Sequence, residues 1–178
     1  MRICLIDNRS CGMLAPEATG YVGELGPALA EDHRVTILTI EPGFRRLPGS
    51  IGRVRHSLSQ SQPEVVHLNN LTGLTLAGIM LAIGSDIEPF RPTIVLGMHD
   101  DRLLRRNVSF HRWLTRSIRL VISPSSKLLD AHLAQRFFPG AAQEVIPYGM
   151  PYHAARLAEA YRRLLIARRS GDLRDSAA

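Results

Sequence analysis

The sequence predicts an α/β fold: a Rossmann-like, doubly wound and mainly parallel sheet in a single domain. Two observations predict it. Six short runs rich in apolar and β-branched residues alternate with longer segments of helical periodicity along the 178 residues. Each short run is almost continuously apolar, which is typical of strands covered on both faces. Such alternation indicates parallel strands joined by right-handed crossover connections.

The six predicted strands each end in polar residues. They cover 2–7, 34–40, 64–68, 93–98, 120–124 and 144–148. Because the carboxyl ends of parallel strands meet at one edge, where such sheets bind ligands, we expect the polar residues that follow to share a rim. These rim segments are 7–12, 67–70, 97–101 and 123–126.

Helical patterns fill the connections between the strands. They lie at about 17–31, 50–61, 71–84, 104–118 and 125–137. A last amphipathic helix is predicted at 152–169, where Leu157, Tyr161, Leu164 and Leu165 recur at helical spacing and must dock on an apolar surface. The predicted organisation is therefore one domain over 1–151, a helix packing back on it over 152–169, and a flexible polar tail over 170–178.

Composition limits the class of protein. The net charge is +6, with Lys127 as the only lysine, which suits phosphorylated ligands, anionic membranes or nucleic acid without choosing among them. Cys4 and Cys11 are read as reduced thiols, without metal-ligand spacing, which favours a cytoplasmic protein and no bound metal. The apolar stretch 71–84 is too short to span a bilayer and is predicted to be a buried helix.

Three familiar enzyme motifs are absent from the sequence. The glycines of "GYVGELG" (20–26) have the wrong spacing for a dinucleotide-binding loop and lie inside a helical pattern. We interpret them instead as positions of close helix packing. Neither a Walker A loop nor a Gly-x-Ser-x-Gly elbow occurs. No resident cofactor is expected.

His99 and Asp100 are the main candidates for catalysis. They follow the apolar run 93–98 directly, at the rim where a parallel sheet binds ligands. A histidine there can take a proton from a hydroxyl group, and a neighbouring carboxylate can orient it or raise its basicity. An ordinary polar loop is the alternative.

Two further rim segments carry candidates with simpler alternatives. His67 ends the third strand, and Asn69 and Asn70 open the helix after it; here the alternative is that Asn70 caps the helix and His67 is a core histidine. Ser125 or Ser126 either caps the next helix or helps its N–H groups to bind an anion.

A cluster of arginines follows Asp100. On the assumption of one continuous helix from about 103, they share one side of it, opposite an apolar stripe. This face is either simply solvated or a patch for anionic lipid or a phosphorylated acceptor. Its residues are Arg102, Arg105, Arg106, Arg112, Arg116 and Arg119.

Three segments, in order and at similar spacing, resemble one known family. They are "PEVVHLNNLTGLTLAG", "TIVLGMHDDRLL" and "VISPSSKLLDAHLAQRFFPGAAQEVIPYGMP". The chain to about Pro151 is similar to the N-terminal domain of the family-four, GT-B type glycosyltransferases. The resemblance implies one half of a GT-B fold.

The resemblance also implies an activity and roles for residues. The family transfers sugar from a nucleotide-diphosphate sugar to an acceptor, usually with retention and without a bound metal. Its N-terminal domain mainly binds the acceptor. His99 matches the family histidine beside the transferred sugar, followed by Asp100, while Asn69 and Asn70, with His67 and Arg102 near them in sequence, fall on the acceptor side.

The departures from the family pattern concern the donor. The family's Gly-Gly-x-Glu loop is replaced by Pro16 to Thr19, where Glu17 would repel a diphosphate unless Gly12 takes the role. The donor-binding C-terminal domain has no counterpart here. Segment 152–169 is similar to the helix that closes GT-B enzymes by packing on their first domain.

These observations leave three functions open. The first is the acceptor-binding half of a split, retaining glycosyltransferase, with a partner chain for the donor. The second is a non-catalytic binding or regulatory module, in one form a homodimer. The third is a small enzyme of another class that uses His99 and Asp100. Expected partners are a donor-domain chain or a second copy, a small-molecule or glycan acceptor, and the inner membrane face as a peripheral contact; nucleic acid is not expected.

Overall fold

A computed structural model describes residues 1–8, 16–40, 47–69, 71–84, 91–105, 108–147 and 152–170. Within these ranges six parallel strands form one sheet in the order β2-β1-β3-β4-β5-β6, with helices on both faces. The predicted fold class is confirmed. The strands are β1 (Arg2–Asn8), β2 (Arg34–Ile40), β3 (Val65–Asn69), β4 (Thr93–Gly97), β5 (Leu120–Ser123) and β6 (Ala142–Val145).

Seven α-helices lie within the described ranges. The longest is the last one, and a short 3-10 turn at Thr115–Ser117 follows the fifth. The helices are α1 (Pro16–Ala30), α2 (Leu47–Ser61), α3 (Gly73–Gly84), α4 (Arg102–Arg105), α5 (Val108–Leu114), α6 (Ser126–Ala134) and α7 (His153–Arg169).

Side chains alternate between two apolar layers, one on each face of the sheet. In β1, Cys4 and Ile6 belong to the layer that includes residues of α2 and α3. Ile3 and Leu5 belong to the other layer, with residues of α1 and α7. The period of two is the reason, because successive side chains of a strand point to opposite faces. The central strands are thus buried on both sides, as their apolar runs predicted.

The connections place a topological switch point at β1. Its two neighbours are β2 on one side and β3 on the other. The first connection from β1 therefore leads to one edge of the sheet, and the later strands are added in order on the opposite side of β1. In open parallel sheets, a crevice opens at the carboxyl ends of the strands at this point. The ends of β1 and β3 are therefore where the fold favours a ligand site.

Helix α7 docks on the sheet with its predicted apolar stripe. Leu157 and Tyr161 are fully buried there. Polar contacts hold the C-terminal half of the helix: Arg163 pairs with Glu144 at 2.6 Å, and Arg168 donates to Thr93 Oγ1 at 3.3 Å. The helix closes the layer formed by α1 and the sheet.

The predicted strand 144–148 was shifted by about two residues. The structure has β6 at Ala142–Val145, where β5 is its one partner strand among the described residues. The hydrogen-bond ladder between β5 and β6 starts before the predicted strand, because the Ala142 N–H donates to the Arg119 carbonyl. At the other end the Ile146 N–H donates to the Ser123 carbonyl. Pro147 follows and has no N–H to continue the ladder. An edge strand with polar Gln143 and Glu144 lacks the apolar run that marks a central strand.

The single helix assumed from about 103 to 118 was wrong. The structure has α4, α5 and the 3-10 turn in that span, and Ile118 is extended, with φ −73° and ψ 129°. Thr115 supplies a local reason. Its hydroxyl donates to the Arg112 carbonyl at 3.1 Å, so the side chain competes with the helical backbone for that acceptor.

The glycine pattern of α1 serves packing at one position. A Cβ on Gly26 would lie 2.4 Å from Ile37 Cδ1, so the glycine lets α1 approach β2 closely, as predicted. Gly23 meets nothing within 4 Å. Among the helices that the structure describes, none is long and apolar enough to cross a bilayer.

Candidate functional site

The candidate site lies where β1, β3 and β4 end. The register places Asp7 beside Asn69 and Asn69 beside Gly97, so these three positions form a row across the switch point. They belong to the face that α1 and α7 cover, because they alternate in phase with Leu5 and Val95. Two polar side chains and one glycine thus share the crevice edge.

A chain of hydrogen bonds links β1 to the loop after β4. Asn69 Nδ2 donates to Asp7 Oδ1 at 2.7 Å, and His99 Nε2 donates to Asn69 Oδ1. Asp7 is 8% exposed and Asn69 is 2% exposed. His99 is half-buried at the outer end of this chain. Asn69 therefore supports the rim from behind rather than lining it.

His99 is held neutral at ordinary pH. Burial lowers the pKa of His99 to about 4; the charge of Asp100 raises it, and the charges of Arg102 and His153 lower it. The expected effect of Asp100 on basicity is thus present but outweighed by burial. A neutral imidazole carries a lone pair, as a proton acceptor requires.

Asp100 binds Arg102, the first residue of α4. Its Oδ1 accepts from the Arg102 N–H at 2.9 Å, and its Oδ2 accepts from Arg102 Nε at 2.5 Å. This is the pattern of an Asx turn combined with an ion pair, directly before the helix. Asn69, rather than Asp100, supplies the hydrogen bond on His99 Nε2.

His67 is more deeply buried than His99. It is 1% exposed and its Nδ1 lies 2.6 Å from Tyr161 Oη of α7. Its Nε2 is buried without a hydrogen-bond partner among the described residues. The pKa of His67 is lowered to about 3, chiefly by burial and in smaller part by positive charge on His99 and His153. In this position His67 connects α7 to the back of the site.

His153 was not among the predicted candidates. It begins α7, is buried, and its Nδ1 donates to the Pro147 carbonyl at 3.0 Å. Burial lowers the pKa of His153, the Pro147 hydrogen bond raises it, and Arg156 lowers it. Its charge would act on both His67 and His99, so three histidines share one electrostatic environment.

Several predicted candidates lie partly or wholly outside the described residues. Gly12, Asn70 and Arg106 are outside them, and so is the side chain of Arg105. For Glu17 the structure places only the backbone, in the first turn of α1.

The serine segment after β5 has a helix-capping role. Ser125 has extended backbone angles and accepts the Leu128 N–H on its hydroxyl at 3.3 Å. Ser126 is the first residue of α6. The capping interpretation is confirmed for Ser125.

The arginine patch does not form one helix face. Arg112 lies in α5, Arg116 in the 3-10 turn, and Arg119 just before β5. The break after α5 is what separates them, since the predicted arc required a continuous helix. Arg112 is half-buried and its Nε has no hydrogen-bond partner among the described residues, whereas Arg116 is exposed.

Besides His153, sequence reasoning left Asp7 and Tyr161 out of its site candidates. Asp7 had a signal, because it follows an apolar run directly at the predicted rim. Tyr161 was assigned to the apolar stripe, and nothing in its spacing indicates that its hydroxyl meets a histidine 94 residues away. In the part of the chain that the structure describes, no three His, Cys, Asp or Glu side chains could hold a metal ion.

Comparison with solved structures shows the fold. A chain of sucrose-phosphate synthase from Thermosynechococcus elongatus is similar over 91% of this chain and 98% of its own, with a TM-score of 0.63 and 19% identity. The S. aureus MnaA–UDP co-structure is similar over 90% of this chain, with a TM-score of 0.57 and 14% identity; this chain covers 46% of that one.

Comparison with sequences shows the family. No curated protein matched the chain. The family described as "Glycosyl transferase 4-like domain" matches residues 13–149, which include every strand after β1. Two of the three segments that resembled glycosyltransferases lie within that range, and the third lies within it except for its last two residues. The chain therefore belongs to the glycosyl transferase 4-like domain family, with the fold of a GT-B N-terminal domain.

Proposed function

We propose that the chain is the acceptor-binding half of a retaining, nucleotide-sugar-dependent glycosyltransferase, and that a partner chain brings the donor. The observation that carries the proposal is the chain of hydrogen bonds that runs from Asp7 through Asn69 to His99 at the switch point. It holds one neutral imidazole at the edge where a parallel sheet binds ligands. In the proposed reaction His99 lies beside the acceptor hydroxyl and the transferred sugar.

Two features support a site with a second wall from elsewhere. The row of polar groups occupies one edge of one sheet, and a GT-B cleft needs a second domain opposite it. This chain covers 46% of the MnaA chain of the UDP co-structure, so more than half of that protein lies outside the similarity. The proposed donor is a nucleotide-diphosphate sugar, and the acceptor is a small molecule or glycan.

The test combines the purified chain with separately purified candidate donor-binding chains, in the presence of labelled nucleotide-diphosphate sugars. We expect sugar transfer only when both chains are present. His99→Ala should lower the transfer rate roughly 10²–10⁴-fold, the range for loss of a group that moves a proton. His56→Ala is the matched control, because His56 is an exposed histidine of α2.

Two outcomes would contradict the proposal. One is undiminished transfer by the His99→Ala variant in a folded state. The other is tight calorimetric binding of a nucleotide-diphosphate sugar by this chain alone, because the donor would then need no second wall.

A non-catalytic binding or regulatory module, in one form a homodimer, is the second candidate. The observation that favours it is the position of Glu17 in the first turn of α1. Helix N-termini attract phosphate, and a carboxylate among the first residues favours the same positive end and repels a diphosphate. This candidate predicts a stable dimer in sedimentation and no transfer with any donor-domain chain. Transfer that depends on His99 would exclude it.

A further inference from the structure

Asp7 is a buried carboxylate in the middle of the switch point. It lies at the end of β1, and its Oδ1 accepts from Asn69 Nδ2. In the part of the chain that the structure describes, Asp7 is the acidic residue with the lowest exposed fraction. Acidic side chains are seldom buried without a task for their charge or their hydrogen bonds.

The hydrogen-bonding groups along this chain fix its direction. A carboxylate at neutral pH only accepts hydrogen bonds, so Asn69 must turn its NH₂ group towards Asp7. The amide oxygen of Asn69 then faces His99, and an amide oxygen also only accepts. His99 Nε2 must therefore carry the hydrogen. The two ends of an asparagine amide, and the two tautomers of an imidazole, are otherwise interchangeable.

We propose that Asp7 is a positioning residue that, through Asn69, holds His99 as the Nε2–H tautomer. Asp7 acts on Asn69, and Asn69 acts on His99. A neutral imidazole has one N–H, so the lone pair of His99 is then on Nδ1, and a proton taken up by His99 goes to that nitrogen. The importance of this for sugar transfer rests on the proposed function; the positioning itself does not.

Asn69 receives a different role from the one that resemblance implied. Both ends of its amide are engaged inside the protein, one with Asp7 and one with His99. With 2% of its surface exposed, it is a connector between strand β1 and the catalytic candidate. The acceptor would then meet His99 and not Asn69.

The first measurement uses the unmodified chain, labelled with ¹⁵N, and long-range ¹H–¹⁵N spectra of its histidine rings at neutral pH. His99 is expected as the Nε2–H tautomer, with its signals assigned by their loss in His99→Ala. His111 is an internal reference of the opposite kind. Its Nδ1 donates to the Leu103 carbonyl at 3.1 Å, and its Nε2 accepts the Gly73 N–H at 2.9 Å. A wild-type His99 in the Nδ1–H form would overturn the proposal.

The second measurement repeats the spectrum with Asp7→Asn. An asparagine can donate or accept, so the direction of the chain is no longer fixed, and an Nδ1–H population of His99 should appear. The two ring ¹⁵N shifts of His99 should move towards each other, while those of His111 stay in place. Asp7→Ser, with a hydroxyl that also does both, is the second variant if Asp7→Asn does not fold.

A merely structural role of Asp7 would give a different result. Folded variants, shown by an unchanged circular dichroism spectrum, would then keep His99 in the wild-type tautomer, and the proposal would be wrong. Neither a sugar donor nor a partner chain is needed for these spectra. Failure of the transfer assay would therefore contradict the proposed function alone, and an unchanged His99 tautomer would contradict the positioning alone.

Discussion

Gly97 ends β4 beside two buried side chains of β3. A Cβ at this position would lie 2.6 Å from His67 Nε2 and 3.4 Å from Asn69 Oδ1. The His67 ring has little freedom to move away, because it is buried and its Nδ1 is bonded to Tyr161. The glycine therefore provides space for the back of the site, and its role is one of volume rather than of backbone conformation.

We expect Gly97→Ala to destabilise the protein by about 1–3 kcal/mol, the usual cost of extra volume in a packed core. Urea unfolding followed by circular dichroism measures it. The matched control is Gly52→Ala in α2, where a Cβ meets nothing within 4 Å and where alanine should stabilise the helix by roughly 0.5–1 kcal/mol. If both variants were stabilised, the contact with His67 would not be rigid.

Single residues at the rim were predictable only up to a point. His99 could be located from the sequence, because a polar residue after a central parallel strand must lie at the carboxyl edge. Its partner could not. Asn69 is 30 residues away, and the contact depends on the register of β3 with β4 and on where the loop after β4 turns. The contact of Tyr161 with His67 depends in the same way on how α7 crosses the sheet.

Among the helices and strands, α7 offers the most direct test of how the elements pack. One face lies in the layer with α1 and carries the hydroxyl that meets His67. The other face is solvated and includes Ile166, which is 65% exposed. The helix thus contributes both apolar burial and a polar contact to the site.

Leu157→Ala should lower the free energy of unfolding by about 2–5 kcal/mol, because Leu157 is fully buried and its loss leaves a cavity. Ile166→Ala, in the same helix, should change it by less than about 0.5 kcal/mol. Equilibrium urea unfolding compares the two. Equal effects would mean that α7 is not held against the sheet as the structure has it.

Elements differed in how well their sequence determined them. The four central strands were predicted to within about a residue, since burial on both faces leaves an unbroken apolar run. β6 was not, because an edge strand needs no such run. The break after α5 was missed for another reason: the apolar spacing continues through it, while the Thr115 hydroxyl and the extended Ile118 end the helix locally.

The whole molecule keeps four buried or half-buried histidines neutral. Burial lowers the pKa of His67 to about 3 and that of His99 to about 4. For His132 and His153 burial also lowers the pKa, opposed by hydrogen bonds to the Leu128 and Pro147 carbonyls. In the unfolded chain a histidine titrates near 6.5. Just below pH 6.5 these rings therefore stay neutral in the folded protein, whereas the same rings in the unfolded chain take up protons.

The consequence is a loss of stability on acidification. Below pH 6.5 the unfolded state binds more protons than the folded state, so the free energy of unfolding falls as the pH falls. Each histidine that stays neutral contributes a slope approaching about 1.4 kcal/mol per pH unit, until its folded pKa is reached near 3 for His67 or near 4 for His99. Above pH 6.5 this contribution is constant.

Urea unfolding between pH 6.5 and 5 measures this slope before most carboxylates titrate. His67→Leu should reduce the slope of the unfolding free energy against pH by up to the amount that corresponds to one proton. At pH 7.5 its effect on the unfolding free energy reports only the altered packing and the lost contact with Tyr161. His153→Leu should reduce the slope in the same direction. A wild-type stability that is flat from pH 6.5 to 5 would mean that the folded protein admits protons to these rings. The surroundings of His67, His99 and His153 would then be more open to water than the burial of these rings indicates.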